Sequence, residues 1–528
     1  MSHTPVLIVG AGPTGLMMAC ELARYGISFR IIDKKPERTL TSNAAGIQTR
    51  TLEILNHIGV GNTFIRNGLV CKSLNIYLDN LAPLKISFEH LDSLYRYILM
   101  LPQAETERIF ISRLEEYHHH VERPLELTSI FKLAGDGYEA TLKHPDGNIE
   151  KMTCDWIIGC DGAHSTLRDR CNMKFAGEDL QEQFMVADAV MDSFLPNNEL
   201  HVFNSKGRAL AVFPIGKNNY RLAANLHLEY QRQFFTEKEV KELVIDRGRK
   251  EFNVQSISWI SPFWIHSKLV HQFRYDRIFL AGDAAHIHSP VGAQGMNTGI
   301  QDAYNLAWKL ALVINKQAAP TLLDSYQAER YPIVKAIVKD TEKLTRFIIS
   351  ENVFFIWARN MIVRFLQNRK SFLNKIAMKM TQLSIDYQNS PIIDYHTINR
   401  QSPKPGMRTP DVQIQNGKHL FDYLQNPKHN ILLFSGQNPS NHIMTDLQEI
   451  QKWITENYAS LTCSFIVIND PAQISNTTIY DSDLLIHKKF NIQHPGIYII
   501  RPDSYIGACN ATIDKKIISQ YFDKIKSG

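Results

Sequence analysis

The apolar residues near the start of the chain fall into two short runs, Val6-Leu7-Ile8-Val9 and Phe29-Arg30-Ile31-Ile32, with a helix-like stretch between them. Runs of that length bounded by glycine and polar residues read as buried strands, so residues 1–35 are predicted to form a βαβ unit. Thr51 to Ile58 continues as an amphipathic helix. Residues 74–100 alternate apolar and polar, as in Leu74-Asn75-Ile76-Tyr77-Leu78, which predicts sheet. A helix follows Pro102. Strands dominate from about 125 to 160, with Asp146-Gly147 as a hairpin signal. Further strand-like runs fill 176–265, and Ile278-Phe279-Leu280-Ala281 is another buried strand leading to a long helix through Ile300–Ile314. Residues 333–387 are nearly all helical in pattern. Ser402-Pro403-Lys404-Pro405-Gly406 then breaks the chain, which restarts as a small α/β unit with strands at Ile431–Phe434, Phe465–Ile468 and Gly496–Ile500.

The turn after the first strand adds chemistry to this pattern. Gly10, Gly12 and Gly15 form G-x-G-x-x-G with Pro13 and Thr14 inside it, and the second strand ends on Asp33. Gly10 allows the tight turn, Gly12 lets a pyrophosphate approach the backbone, and Gly15 lets helix and strand pack closely. The helix N-terminus would hold the phosphates and Asp33 the ribose hydroxyls. Read alone, this motif means a dinucleotide, without saying which.

Bulk properties narrow the picture only by exclusion. A chain of 528 residues favours two to four domains. Its 44% hydrophobic and 21% charged content is that of an ordinary globular protein, and a net charge of +5 over this length gives no case for nucleic acid. Neither a signal peptide nor a spanning segment is visible, and seven scattered cysteines without C-x-x-C read as reduced thiols, so a cytoplasmic protein is expected. His118-His119-His120 reads as a solvated helix end, because neighbouring helical residues do not share a face, and no metal site is expected.

Two further segments select the cofactor. Trp156-Ile157-Ile158-Gly159-Cys160-Asp161-Gly162 is a strand running into an Asp-Gly turn, with Arg168 beyond it. Ile278–Ala281 ends on Gly282-Asp283 and leads through Pro290-Val291-Gly292-Ala293-Gln294-Gly295-Met296-Asn297 into a helix. Asp283 can accept from a sugar-alcohol hydroxyl, and a glycine-rich turn before a helix brings bare N–H groups against an electron-rich ring. A flavin needs both; a nicotinamide needs neither.

These segments, with A-G-I-Q-T-R-T-L-E-I-L (45–55), L-P-Q (101–103) and the helix at Tyr326–Pro332, resemble the FAD-dependent aromatic hydroxylases, over nearly the full length. The resemblance implies an α/β fold: a Rossmann-like FAD-binding domain (1–73, 101–175 and 266–340) and an inserted β-sheet substrate domain (74–100 and 176–265). A helical segment (341–400) and a C-terminal thioredoxin-like domain (401–528) would follow. In that last unit Ser435-Gly436-Gln437-Asn438 stands where a thioredoxin has its cysteines, so no dithiol chemistry is expected there.

By the same resemblance Gly10, Gly12, Gly15 and Asp33 take the ADP half of FAD, and Gln103 lies near the ribityl or phosphate region. Asp283 would bind the ribityl chain, and Pro290, Gly292, Gly295, Met296 and Asn297 would cradle the isoalloxazine. Asp161 and Arg168 stand between direct contact and holding their turn. The family often has Arg where this chain has Asn43, which leaves Arg50 as the candidate cofactor-facing cation. His286 reads as structural, and His288 is a weak acid–base candidate. Phe203, Phe213, Tyr220 and Pro290 are the expected substrate-pocket residues. The implied activity is hydroxylation of a phenolic or polyketide-like aromatic, with NADPH or NADH as a transient reductant and O₂ activated as a flavin C4a-hydroperoxide. Oxidation of an antibiotic of the tetracycline or rifamycin type is the alternative, and a non-catalytic FAD-stabilised binding protein stands further off. A homodimer is left open.

Residues 354–380 combine Arg359, Arg364, Arg369, Lys370, Lys375 and Lys379 with Phe354, Phe355, Trp357, Ile362 and Phe365, and contain no acid. Such a basic amphipathic stretch can lie on an anionic membrane or seat a partner. The preferred expectation is a helix packed on its own protein with the basic face in water.

Overall fold

The computed structural model describes residues 1–38, 44–79, 81–226, 233–248, 251–396, 399–414 and 417–527. The predicted βαβ unit is present as the strand Ser2–Val9, the helix Pro13–Arg24 and the strand Phe29–Ile32. The first strand is flanked in parallel by Phe29–Ile32 on one side and Ile149–Gly159 on the other, and the latter pairs in parallel with Ile278–Leu280. The hairpin expected at Asp146-Gly147 joins Tyr138–Lys143 to Ile149–Gly159, with Gly147 at φ +87°. The helix Pro13–Arg24 packs on this sheet, and Gly295–Ile314 packs on that helix and is buried along almost its whole length.

An eight-stranded sheet holds the inserted segment. Its order runs Ser73–Leu78 beside Glu199–Ser205, Arg208–Gly216, Asn219–Leu226, Phe175–Asp192 and Asn253–Val270, with Leu84–Ser87 and His286–Ile287 at the edges. Ile98–Met100 leaves this sheet to pair with Gly46–Ile47 and Leu69–Cys71. One face of the large sheet is sealed by the helix Glu237–Arg247, which buries Val240 and Val244 against Leu210, Val212, Leu222 and Ala224. The opposite face looks towards the first domain and is only half covered: Val202, Ala211, Phe213, Ile215 and Ala223 are all partly open.

That two-sided burial corrects part of the expected pocket. Phe203 and Tyr220 belong to the sealed face. Phe203 stacks on Tyr77 with ring centres 4.6 Å apart, and the Tyr220 hydroxyl donates to Asn197 Oδ1. Strand residues alternate sides, so Phe213, one position after Val212, lies on the open face with Ala45, Met100 and Ile98.

The C-terminal unit is a mixed sheet in which His429–Phe434 pairs in parallel with Thr462–Ile468 and antiparallel with Gly496–Ile500, which in turn pairs with Ile506–Asn510. It is joined to the first domain by buried charge. Arg501 donates to both oxygens of Glu329, at 2.5 and 2.9 Å, and to Asp503. Lys309 Nζ donates to Glu329 at 2.7 Å, and all these side chains are inaccessible to solvent. Between the two units lie three helices, Asp324–Ile349, Val353–Leu366 and Lys370–Met380. The third packs on the protein as expected, burying Ala377, and the cations Arg364, Arg369, Lys370 and Lys375 stand in water as expected, but the second departs from the expected packing. Its inward side holds Arg359 and Asn360, and its large apolar residues face outward. No helix among the described residues is long and apolar enough to cross a membrane.

Candidate functional site

Strand register gathers the scattered motifs. Ile32, Val9, Gly159 and Leu280 are consecutive partners across four parallel strands. The residues that follow them, Asp33, Gly10, Cys160-Asp161 and Ala281-Gly282-Asp283, therefore emerge side by side at one carboxyl edge. This edge is where open parallel sheets bind ligands. A cleft opens there, lined by Gly10, Gly12, Asp33, Gln103, Arg123 and Asp161 among others.

The three glycines divide their labour sterically. A Cβ on Gly10, which sits at φ +100°, would lie 2.3 Å from the Cys160 carbonyl oxygen, and one on Gly15 would lie 1.9 Å from the Gly10 oxygen. Both glycines serve backbone crossings. A Cβ on Gly12 would meet nothing within 4 Å, so the space over Gly12 belongs to the cleft. Gly12 caps the helix Pro13–Arg24 without a side-chain hydrogen bond, and no acid stands in the first turn. Its orphan N–H groups and positive end are left for an anion. Thr14 is a packing residue: Gly282 and Gly299 are glycines because a Cβ on either would collide with its Oγ1.

Asp33 is braced before any ligand arrives. Its Oδ2 accepts from Ala11 N and its Oδ1 from Lys35 N, both at 2.8 Å. Arg123 donates to the Ala11 carbonyl and lies 3.8 Å from Asp33. Gln103 Nε2 donates to Glu107, whose proton affinity is raised by desolvation. Asp161 accepts from Leu167 N through Oδ2, while its buried Oδ1 has no hydrogen-bond partner among the described residues, and burial raises the carboxyl's proton affinity. An orphaned acceptor here calls for a donor from a ligand. Arg168 donates to the carbonyls of Ala163 and Ala284, which makes it a brace between the Asp161 and Asp283 turns.

Asp283 is exposed at the same strand edge and accepts no hydrogen bond from the protein among the described residues. The surrounding protein and the Asp302 carboxylate raise its proton affinity, an effect that solvent weakens. The neighbouring His286 is structural. It bonds Asp302 at 2.6 Å, Asp302 also accepts from Arg330 at 2.7 Å and from Gly282 N at 3.1 Å, and all three side chains are inaccessible. Although burial opposes it, Arg330 and His286 hold Asp302 below the usual carboxylate range.

Residues 290–297 form a braced loop with Gly292 and Ala293 both at positive φ. Asn297 Nδ2 donates to the carbonyls of Gly46 and Ala293, and its Oδ1 accepts from Gln48 N, so this side chain fastens the loop rather than reaching a ligand. Gln48 and Gln294 both donate to the Gly292 carbonyl, and Gln382 Nε2 donates to Gln294. This amide network escaped the sequence reading. Only the glutamines inside G-I-Q-T-R and A-Q-G-M-N hinted at it, and Gln382 carried no signal. The helix Gly295–Ile314 starts with no side-chain cap and no acid in its first turn, which leaves its N–H groups towards the loop, with Met296 half-buried and Pro290 exposed. His288 Nδ1 bonds the Ser289 carbonyl at 3.0 Å, and its buried Nε2 has no partner among the described residues. Desolvation pushes its pKa down to about 4, so the ring is neutral near pH 7.

Arg50 is not at this site. It is buried on the far side of its helix, donating to Glu53 and to the Asp503 carbonyl, both at 2.9 Å, with Tyr505 4.8 Å beneath its guanidinium. It joins the C-terminal unit to the first domain. Its motif position had suggested a cofactor contact because the sequence does not reveal which helix face that unit covers. Asn43 lies outside the described residues.

Residues 3–341 match the FAD binding domain family. The chain is 31% identical over 449 residues to a flavin-dependent monooxygenase of Mycobacteroides abscessus, covering 82% of this chain and 89% of that protein. It is 29% identical over 518 residues to a 6-methylpretetramide 4-monooxygenase of Streptomyces rimosus, covering 95% and 90%. Among solved structures, the OxyS anhydrotetracycline hydroxylase of Streptomyces rimosus aligns over 100% of this chain and 99% of its own, with TM-score 0.78 and 26% identity. The unpartnered Asp161 oxygen, the open space over Gly12 and the uncapped helix starts all suit a flavin dinucleotide, and the chain belongs to the family of FAD-dependent aromatic hydroxylases.

Proposed function

We propose that the protein hydroxylates a phenolic or polyketide-like aromatic with O₂, drawing electrons from NADPH or NADH. The observation that carries the reading is the convergence of Asp33, Gly12, Asp161 and Asp283 on one sheet edge. Bound FAD supplies the redox chemistry, accepting reducing equivalents and activating oxygen.

The chain's own residues bind, orient and exclude water. Gly12 and the start of the helix Pro13–Arg24 would take the pyrophosphate, pre-braced Asp33 the adenosine ribose, and Asp283 the ribityl hydroxyls. Asp161 Oδ1 accepts from the cofactor or from ordered water beside it. The N–H groups at the start of the helix Gly295–Ile314 would favour an electron-rich ring held against them. Asn297, Gln48 and Gln294 fix the loop that carries them. The substrate ring lies against Phe213 and its small neighbours Ala211 and Ala223, which excludes water from the reacting face. His288 Nε2, a neutral acceptor, can take a phenolic proton. The C-terminal unit, read as thioredoxin-like, is a structural module with no redox chemistry of its own.

The test is a screen of phenols, anthraquinone-like polycycles and tetracycline- or rifamycin-type antibiotics, with NAD(P)H oxidation and H₂O₂ release followed together. A substrate should speed NAD(P)H consumption without matching H₂O₂ release and give a product heavier by one oxygen. Turnover confined to the antibiotics would select the antibiotic-oxidising reading. Tight FAD binding with no ligand-stimulated oxidation of either nucleotide would refute both.

A further inference from the structure

The helix Val353–Leu366 is built inside out. Its inward side is polar: Arg359 is 1% exposed and donates to Asp79 at 2.7 Å, and Asn360 donates to the same oxygen at 2.9 Å. Asp79 sits at the end of the strand Ser73–Leu78, so an ion pair anchors the helix to the rim of the substrate-facing sheet. Its outward side is apolar. Phe354, Trp357, Met361 and Phe365 are 84, 66, 51 and 66% exposed, and their spacing of three and four residues makes one stripe, with Val353 and Ile362 beside it. A monomer in water gains nothing from that orientation, and a contiguous exposed apolar patch of this kind marks an interaction surface.

The charges around the stripe indicate what it meets. Residues 353–380 contain no Asp or Glu. Arg364, Arg369, Lys370 and Lys375 are exposed, and none is ion-paired among the described residues; Arg369 packs over the Phe365 ring at 4.2 Å. A second copy docking about a two-fold axis would set these cations against their own like charges. An anionic lipid surface meets both features at once: aromatic side chains settle at the headgroup boundary while lysines and arginines pair with phosphates.

We propose that this helix docks the protein peripherally on an anionic membrane surface, lying in the interface plane. Docking at this point would turn the rim of the substrate-facing sheet towards the bilayer, where apolar aromatic molecules partition.

The experiment is co-sedimentation of the FAD-loaded protein with phosphatidylcholine vesicles, with and without phosphatidylglycerol. The wild type should bind the anionic vesicles, and high salt should weaken binding. F354S/W357S/F365S and R364Q/R369Q/K370Q/K375Q should each lower binding roughly 10-fold or more. Both variants should keep the wild-type FAD content and flavin spectrum, which separates lost docking from lost folding. Equal binding by wild type and F354S/W357S/F365S would overturn the proposal. So would absence of binding to anionic vesicles, whether or not sedimentation velocity shows a dimer that the stripe variant abolishes.

Discussion

Replacing Gly12 by alanine separates cofactor binding from folding more cleanly than any other change at the site. Gly12 has φ −77° and ψ −175°, an extended conformation open to any residue, and its Cβ direction is empty. Loss of chain freedom in the unfolded state should stabilise G12A by about 0.4–1 kcal/mol. Alanine is a poorer N-cap than glycine by a similar amount. The two effects nearly cancel, so the cofactor-free protein should unfold within about 1 kcal/mol of wild type. With FAD bound, the methyl group would occupy the space of the pyrophosphate. Overpacking of this kind costs about 1–3 kcal/mol, which weakens FAD binding roughly 5- to 150-fold. G15A is the contrast, because its Cβ would stand 1.9 Å from the Gly10 oxygen and must displace backbone even without cofactor. The assay pairs denaturant unfolding of the apoproteins with FAD titration by flavin fluorescence. FAD affinity in G12A equal to wild type would refute the placement of the pyrophosphate over Gly12.

Three other outcomes follow from named contacts. R501M should cost about 3–5 kcal/mol in denaturant unfolding, because it leaves Glu329 and Asp503 buried without their shared cation; a loss below about 1 kcal/mol would mean that the C-terminal unit is not held by this network. His57 and His429 are buried and His288 is half-buried, with pKa values pushed down to about 3, 3 and 4, mainly by desolvation, so each takes up a proton more readily when unfolded. Their contribution is therefore complete above about pH 6.5 and lost as pH falls towards 4, at up to about 1.4 kcal/mol per pH unit for each ring; unfolding midpoints unchanged between pH 7 and 5 would contradict it. F213A should change KM or coupling for the aromatic substrate with little effect on stability, whereas F203A, truncating a ring in the sealed core, should destabilise by about 3–5 kcal/mol; the reverse pattern would exchange the two faces of the sheet.

Much of the first domain was legible because its chemistry is local. A glycine turn must follow a strand and precede a helix, so Gly10–Gly15, Asp161-Gly162 and Gly282-Asp283 each carry their own structural context. The parallel register then needs only to bring strand ends together, as it does at Val9, Gly159 and Leu280. What the sequence left ambiguous depends on which side of an element is covered, and by what. Phe203 and Phe213 look alike in two neighbouring strands, and only the helix Glu237–Arg247 distinguishes them. Arg50 sits in a motif that borders the cofactor site, yet a unit 450 residues further along claims its guanidinium. The apolar stripe at Phe354–Phe365 reads as core by periodicity. It lies outside because the buried side of that helix is held by Arg359 and Asp79 instead. Apart from the local bond of Gln294 to Gly292, the amides of Gln48, Gln294 and Gln382 meet partners far away in sequence, which no local pattern encodes.

Anaerobic rapid-mixing of the FAD-loaded protein with NADPH or NADH, with and without an aromatic ligand from the screen, tests whether the bound flavin turns over as a hydroxylase. The flavin absorbance should bleach, faster with the ligand, and admitting O₂ should restore oxidised FAD and yield a product containing one added oxygen. Flavin that stays oxidised with both nucleotides, whatever the ligand, would contradict hydroxylase turnover.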